Sequence, residues 1–311
     1  MSSVKELNDT VRMDDIIRVS TYHRRDFDLA VIRLNPRGHE AVRGSMAHPF
    51  NHTAITTLGR MQILPVGILH EILLLLDMRS FFVFHISNVL CTRDCLHCDS
   101  FGGFVFLPSL ERCCFRCLTS SPRFRVLPAV EIGKVLSMSR AHLRRSVPLL
   151  HTISGIYSMA ETSRQRRMYI VAEKQIAKAF TFPGTSMSAA VTACSNRAHA
   201  VLRYMAGTTL PYVDIASGDV QHGLCCAGCQ IILEGDTVSN PTEAFAMRDR
   251  VYSNTGFFDH FRLCPEAQKL WKHSKEGKVA VSLPTFVIRG GYFNERDVVM
   301  SFSKRKYSDL S

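Results

Sequence analysis

Two Cys-x-x-Cys knuckles constrain this chain more than any other feature. Cys95-Leu96-His97-Cys98 is followed, fifteen residues later, by Cys114-Phe115-Arg116-Cys117. Two residues between ligands let one tight turn offer two thiolates to one ion. A second knuckle at this interval completes a tetrahedron, so Cys95, Cys98, Cys114 and Cys117 have the spacing of a four-thiolate structural zinc site. Gly102-Gly103 lies between them, where the backbone must bend. Phe101, Phe104, Val105, Phe106 and Leu107 supply a small apolar cover, with a strand expected over Gly103–Leu107. The plain alternative is four unliganded structural cysteines. A thioredoxin-like redox pair is disfavoured, because no βαβ pattern flanks either knuckle. Cys91 and Cys113 are close enough to substitute as ligands.

A second, looser set follows in the C-terminal half. Cys226 and Cys229 form another knuckle, and His260 and Cys264 lie four residues apart, one helical turn on a shared face. Together they make a Cys-Cys-His-Cys zinc site with a long insertion, Cys225 being a spare thiol. The alternative is a core histidine among buried cysteines. Ala267, Leu270 and Trp271 are expected to continue the apolar face of the same helix.

Compartment decides how the cysteines are read. The N-terminus, MSSVKELNDT, lacks the apolar core of a signal peptide. The longest apolar run, Ile63 to Leu76, is interrupted by His70 and Glu71 and falls short of the ~20 residues a membrane span requires. An intracellular, reducing setting in cytoplasm or nucleus is therefore expected, where eleven cysteines argue for metal before disulfides. The 311 residues suffice for about two domains, and 46% hydrophobic with 21% charged residues is a globular composition. The net charge of +11 is concentrated: residues 121–180 carry eleven Lys/Arg against three Glu, a local +8. Such a segment suits nucleic acid or an acidic protein surface, or is simply a solvated helix face.

Leu64 to Asn88 is the most apolar stretch. Pro65 suits a first helical turn, and Ile68, Leu69, Ile72, Leu73 and Leu76 recur at helical spacing. Asp77 caps a second run containing Met78, Phe81, Phe82, Phe84 and Ile86. The expected product is a helical hairpin with more apolar surface than two helices hide from each other. Leu64-Pro65, Ile68-Leu69-His70-Glu71-Ile72-Leu73 and Leu76-Asp77-Met78-Arg79-Ser80 resemble the F-box. The resemblance implies docking on the Skp-type adaptor, and through it the cullin scaffold, of an SCF-type ubiquitin ligase. Leu64, Pro65, Ile68, Leu69, Ile72, Leu73 and Leu76 would make the contact. Gly67 stands where that family usually has Glu, and the third helix of the family is missing. Cys95-x-x-Cys98, Phe101-Gly102-Gly103-Phe104, Leu107-Pro108 and Arg112-Cys113-Cys114-Phe115-x-Cys117-Leu118 are similar to the cysteine-rich region of a group of fungal F-box domain proteins.

The fold expected from these readings is mixed, mainly α with small β. It comprises a short F-box-like hairpin, two small zinc-stabilised modules and disordered ends. The boundaries are a disordered leader over 1–57, the hairpin over 58–90, the four-Cys module over 91–182, a linker over 183–198, the Cys-Cys-His-Cys module over 199–272 and a loose basic tail over 273–311. Helices are expected at Val126–Met138, Ser139–Leu150 and Met168–Phe180, and strands at Val201–Tyr212 and Gly228–Leu233. Arg289-Gly290-Gly291 and Lys304-Arg305-Lys306 belong to the tail.

There is no phosphate-binding glycine loop, nucleophile elbow or His-Glu-x-x-His, and no catalytic residue is assigned. The expected function is an F-box adaptor that brings an unidentified substrate or partner protein to the ligase, its surface shaped by two structural zinc ions. The rival is a zinc-dependent nucleic-acid binder that uses the basic 121–180 segment.

Overall fold

The computed structural model describes residues 12–31, 33, 92–98, 100–180, 200–214, 218–235 and 240–291. The hairpin expected over 58–90, with Leu64, Pro65, Ile68, Leu69, Ile72, Leu73 and Leu76, lies outside them, as do the linker over 183–198, Cys91 and Lys304-Arg305-Lys306. The described residues mix short helices and short strands, and no helix among them is long and apolar enough to cross a membrane.

Three small cores organise the chain. The first gathers around the paired knuckles. Strands β2 (Phe104–Phe106) and β3 (Glu111–Cys113) form a hairpin, and helix α3 (Phe115–Ser120) follows directly. All three residues of β2 are buried, so this strand needs a partner on each edge. The second partner is β9 (Gly207–Thr209), which sets Phe104 opposite Thr209. Helix α7 (Ala200–Met205) delivers that strand and places Val201, Leu202 and Met205 in the same core. This corrects two expectations. The segment 200–209 belongs to the first module, not the second, and Val201–Tyr212 is not one strand. Its apolar residues at 201, 202 and 205 have helical spacing, and the chain becomes extended only at Gly207.

The third core lies under the basic segment. Strands β4 (Val126–Pro128), β5 (Leu150–His151) and β8 (Tyr169–Ala172) form a sheet in the order β4-β8-β5. Helices α4 (Ala129–Val135), α5 (Arg140–Ser146) and α6 (Glu173–Ala179) cover it, burying Leu127, Ile132, Leu143, Val171 and Ile176. Two of the expected helices thus begin as strands. Leu127 precedes a proline, which disfavours the helical region for it, and the helix starts only after Pro128. Ile170 and Val171, both fully buried, sit in a central strand, where β-branched side chains pack well. The third expectation holds in part: Ser139 caps α5, its Oγ accepting the His142 N–H at 3.2 Å. That helix nevertheless ends at Ser146, and Leu150 is in a strand.

The second core forms around Trp271, with Phe257, Leu270, Phe286 and Val287. Helix α8 (Ala227–Glu234) replaces the strand expected at Gly228–Leu233 and crosses α11 (Pro265–His273) closely. A Cβ on Gly228 would stand against the Ala267 amide nitrogen and 2.9 Å from its Cα, so only glycine permits this crossing. Helix α10 (Asn254–Leu263), capped by Ser253, completes the unit.

Of the segment 1–57 read as a disordered leader, residues 12–31 join both larger cores, and 1–11 and 34–57 lie outside the described residues. A helix over 12–20 inserts Ile16 and Val19 into the second core. Strand β1 (Thr21–Tyr22) pairs antiparallel with β12 (Cys225–Cys226), Thr21 opposite Cys226. Helix α2 (Arg25–Val31) puts Phe27, Ala30 and Val31 into the first core. At the crossing, buried Arg24 grips Asp26 bidentately at 2.7 and 2.6 Å and reaches Asp249 at 2.5 Å. Its guanidinium lies 3.8 Å from the Phe27 ring centroid. The tail reading is corrected likewise over 273–291. Helix α12 (Thr285–Ile288) buries Phe286 and Val287, and Gly290 accepts the Asp26 N–H at 3.3 Å. Gly291, at φ +100°, is a turn where any Cβ would strike the Asp26 carboxylate. Arg289-Gly290-Gly291 is therefore a structural corner that the Arg24–Asp26 pair packs against, not part of a loose basic end.

Candidate metal centres

The structure brings together both predicted ligand sets. The metal-binding atoms of Cys95, Cys98, Cys114 and Cys117 lie within 4.8 Å of one another, and so do those of Cys226, Cys229, His260 and Cys264.

The first centre is built from a turn and a helix start. The Cys95 N–H donates to the Ser100 carbonyl at 2.7 Å, and the Leu96 N–H donates to the Arg112 carbonyl at 3.3 Å. These bonds fix the first knuckle against β3. The last strand residue, Cys113, is followed by Cys114 as N-cap of α3, whose Sγ accepts the Cys117 N–H at 3.4 Å. Cys98 Sγ and Cys114 Sγ stand 3.5 Å apart. Beside the knuckle, His97 Nε2 lies 3.2 Å from Glu111, which also accepts from Arg123 and Lys174, each at 3.1 Å. Burial works against the Glu111 charge, but these bonds outweigh it and hold the carboxyl below its usual range.

The second centre is made by three helix ends. Cys226 is the N-cap of α8 and Cys229 lies in its first turn. His260 projects from α10, and Cys264 is both the C-cap of α10 and the N-cap of α11. The single continuous helix expected through Trp271 is thus broken at Cys264. Pro265 forces the residue before it out of the helical region, and Cys264 adopts φ −102°, ψ 101°. The break leaves the Cys264 thiol 3.8 Å from that of Cys226, while Cys229 Sγ stands 3.2 Å from His260 Nε2. The imidazole is held by Tyr252, stacked at 4.7 Å and 22°. Tyr252 is itself fixed by reciprocal backbone bonds with Leu224 at 2.8 Å each way, just before Cys225.

Sulfur–sulfur separations of 3.5 and 3.8 Å match the edge of a tetrahedron with metal–sulfur bonds of about 2.3 Å, which is about 3.8 Å. Protonation follows from the crowding. Cys95 is drawn down to about 5, first by a hydrogen bond from the Cys114 thiol, and that pairing pushes Cys114 up. Burial, then Cys98, pushes Cys117 up to about 12. In the second centre Cys264 is held well below the usual thiol range by hydrogen bonds from Cys226 and Cys229, and Cys229 is pushed up by its pairing with Cys226 and then Cys264. Cys226 gains a hydrogen bond from Cys229, but pairing with Cys264 and burial raise it to about 12. In each cluster one sulfur, Cys95 or Cys264, is thus favoured as thiolate while Cys114 and Cys117, or Cys226 and Cys229, hold their protons more tightly, and a bound cation would displace those protons.

The spare thiols Cys113 and Cys225 stay outside both clusters. They are fully buried, pushed up by burial, and serve as small core residues. Sequence reasoning missed Tyr252 and the Arg24–Asp26–Asp249 group. The Pro265 break was signalled by the Cys-Pro pair itself. No protein-family profile, curated protein or solved structure matches this chain.

Proposed function

We propose that the chain is a non-catalytic interaction scaffold in which two structural zinc ions staple the two larger cores. One ion takes Cys95, Cys98, Cys114 and Cys117, the other Cys226, Cys229, His260 and Cys264. The observation that carries this reading is that each cluster offers four protein ligands at tetrahedral spacing. A zinc ion so held has no position left for water, which a catalytic zinc requires. The partner side of the reading rests on the sequence of residues 64–88. These would dock a Skp-type adaptor and so bring a bound protein to a cullin-based ubiquitin ligase.

Docking of this kind is expected to be weak. Burying a Leu- or Phe-sized side chain contributes ~1.5–3 kcal/mol, and the missing third helix removes two or three such contacts. Affinity should then fall by about two to four orders of magnitude. Elemental analysis of the purified chain is expected to find two zinc ions, and fewer than one would overturn the scaffold. Calorimetry against the adaptor should show binding weaker than micromolar that strengthens when a helix is inserted after Asn88. No binding even after insertion would refute the adaptor role and leave the zinc scaffold standing.

A further inference from the structure

One cleft lies apart from both metal centres, on the third core. Arg140, Ala141, Arg144, Arg145, Leu149 and Tyr169 line about 570 Å³ of open space. That is within the roughly 300–1,000 Å³ of small-molecule sites. Three elements converge there. Helix α5 supplies the arginines, all exposed, Leu149 comes from just before β5 and Tyr169 from β8; His151, at the edge of the cleft, stands directly opposite Tyr169 in the β5–β8 pair. The two rings stack at 4.5 Å and 18°, and the Arg140 guanidinium lies 5.1 Å from the Tyr169 ring centroid.

The charge here is uncompensated. Arg140, Arg144 and Arg145 take part in no ion pair among the described residues. No acidic residue occurs between Glu131 and Glu161 in the sequence. Guanidinium groups without carboxylate partners suit phosphate oxygens, to which they donate bidentately. A solvated helix face would not need the stacked His151–Tyr169 pair beside it. Aromatic stacking combined with a basic groove is how proteins hold a single strand, because every base has a π-face and every linkage a phosphate.

We propose that this cleft binds single-stranded nucleic acid. Arg144 and Arg145 neutralise consecutive phosphates, and the Tyr169–His151 stack, extended by Arg140, receives an unpaired base. The site does not use the metal ligands and does not depend on the adaptor reading. It lacks contacts that read base edges, so a strand should be held with little sequence preference.

The test is fluorescence anisotropy of the full-length chain with labelled oligouridine and oligothymidine of about 12 nucleotides, across a salt series. Binding should weaken steeply with salt. The double variant Arg144→Gln, Arg145→Gln should lower the slope of log K against log salt by about 1.4, since each single-strand phosphate contributes about 0.7. His151→Ala, at an exposed position, should weaken binding about 5- to 150-fold with the slope unchanged. Tighter binding of the uridine strand would assign the site to RNA, and equal binding to single strands generally, both within the proposal. Three results would overturn it: no salt-dependent binding of either strand, an unchanged slope in the double arginine variant, or saturable binding of a phosphoserine peptide or phosphatidylserine vesicle where neither strand binds.

Discussion

The two candidate metal centres offer equal numbers of ligands in different surroundings. At the first, Cys98 is exposed and Cys117 half-buried; at the second, all four ligands are buried. Four thiolates around a divalent cation leave two negative charges, whereas three thiolates and a neutral imidazole leave one. With a divalent cation bound, the centre left with the larger residual charge would be the one water reaches. The smaller charge would sit in an apolar core, in keeping with the cost of burying charge. A neutral His260 in place of a fourth cysteine suits that depth. The difference also assigns the centres unequal tasks. The first lies at one end of a core that a three-stranded sheet also holds, while the second brings together three helix ends joined to the leader by a two-residue strand pair, by Ile16 and Val19 and by the Arg24–Asp249 ion pair.

The sharpest way to break this comparison uses the single tryptophan. Trp271 is buried in the second core, so its emission reports on that core alone. Structural zinc supplies roughly 10–16 kcal/mol, as much as the whole stability of most domains. Cys229→Ser should abolish the second zinc and shift Trp271 emission to that of a solvated indole. Cys98→Ser should remove the first zinc and leave the emission in place. Equal shifts in both variants would show that the centres form one cooperative unit and that their tasks are not separable.

A smaller perturbation sharpens the same contrast without touching a ligand. Gly228→Ala drives a methyl group into the Ala267 backbone at the crossing of the two helices that present Cys229 and Cys264. Overpacking of this kind costs about 1–3 kcal/mol. The midpoint of the Trp271 transition should fall, with zinc retention at the first centre unchanged. A midpoint equal to the wild type would mean that the helices separate freely.

The smallest effect belongs to the exposed centre. Glu111, held below its usual carboxylate range beside His97, contributes stability that is full above the ordinary carboxylate value and is lost as pH falls through its lowered folded value. Glu111→Gln should cost under about 1 kcal/mol near neutrality. The gap between variant and wild type should close on acidification. Because acid also protonates thiolate ligands in both proteins, the gap, not either midpoint, is the readout. A gap that widens as pH falls would refute the role given to Glu111.

The ligand sets were legible because each knuckle is local: two residues of spacing place two thiols on one turn wherever the turn ends up. The elements around them were less so, for physical reasons. Val126-Leu127-Pro128 and Tyr169–Ala172 run without a break into helices, so each strand and helix forms one apolar stretch in the sequence. Ile231-Ile232-Leu233 has strand composition, yet the Cys226–Cys229 turn starts a helix there. The leader was illegible for another reason. Ile16, Val19, Tyr22 and Phe27 are scattered among charges, and the partners that bury them come from distant parts of the chain. Nothing local marks Arg24 and Asp26 as buried, because the Gly290–Gly291 corner that encloses them is equally remote. The F-box resemblance falls on residues outside those described.

The pairing of Thr21 with Cys226 also sets a timetable. A ribosome adds about 5–20 residues per second, so the first strand of this chain waits roughly 10–40 s for its partner to be made. Throughout that interval Ile16, Val19 and Tyr22 have no core to enter, and the corner at Gly290–Gly291 that closes over Asp26 arrives later still. The segment 16–22 is thus made well before the residues that bury it. Its apolar side chains stay uncovered on the nascent chain until well after they are made, and Cys264, the last residue of the second ligand set, is made later than the strand partner Cys226.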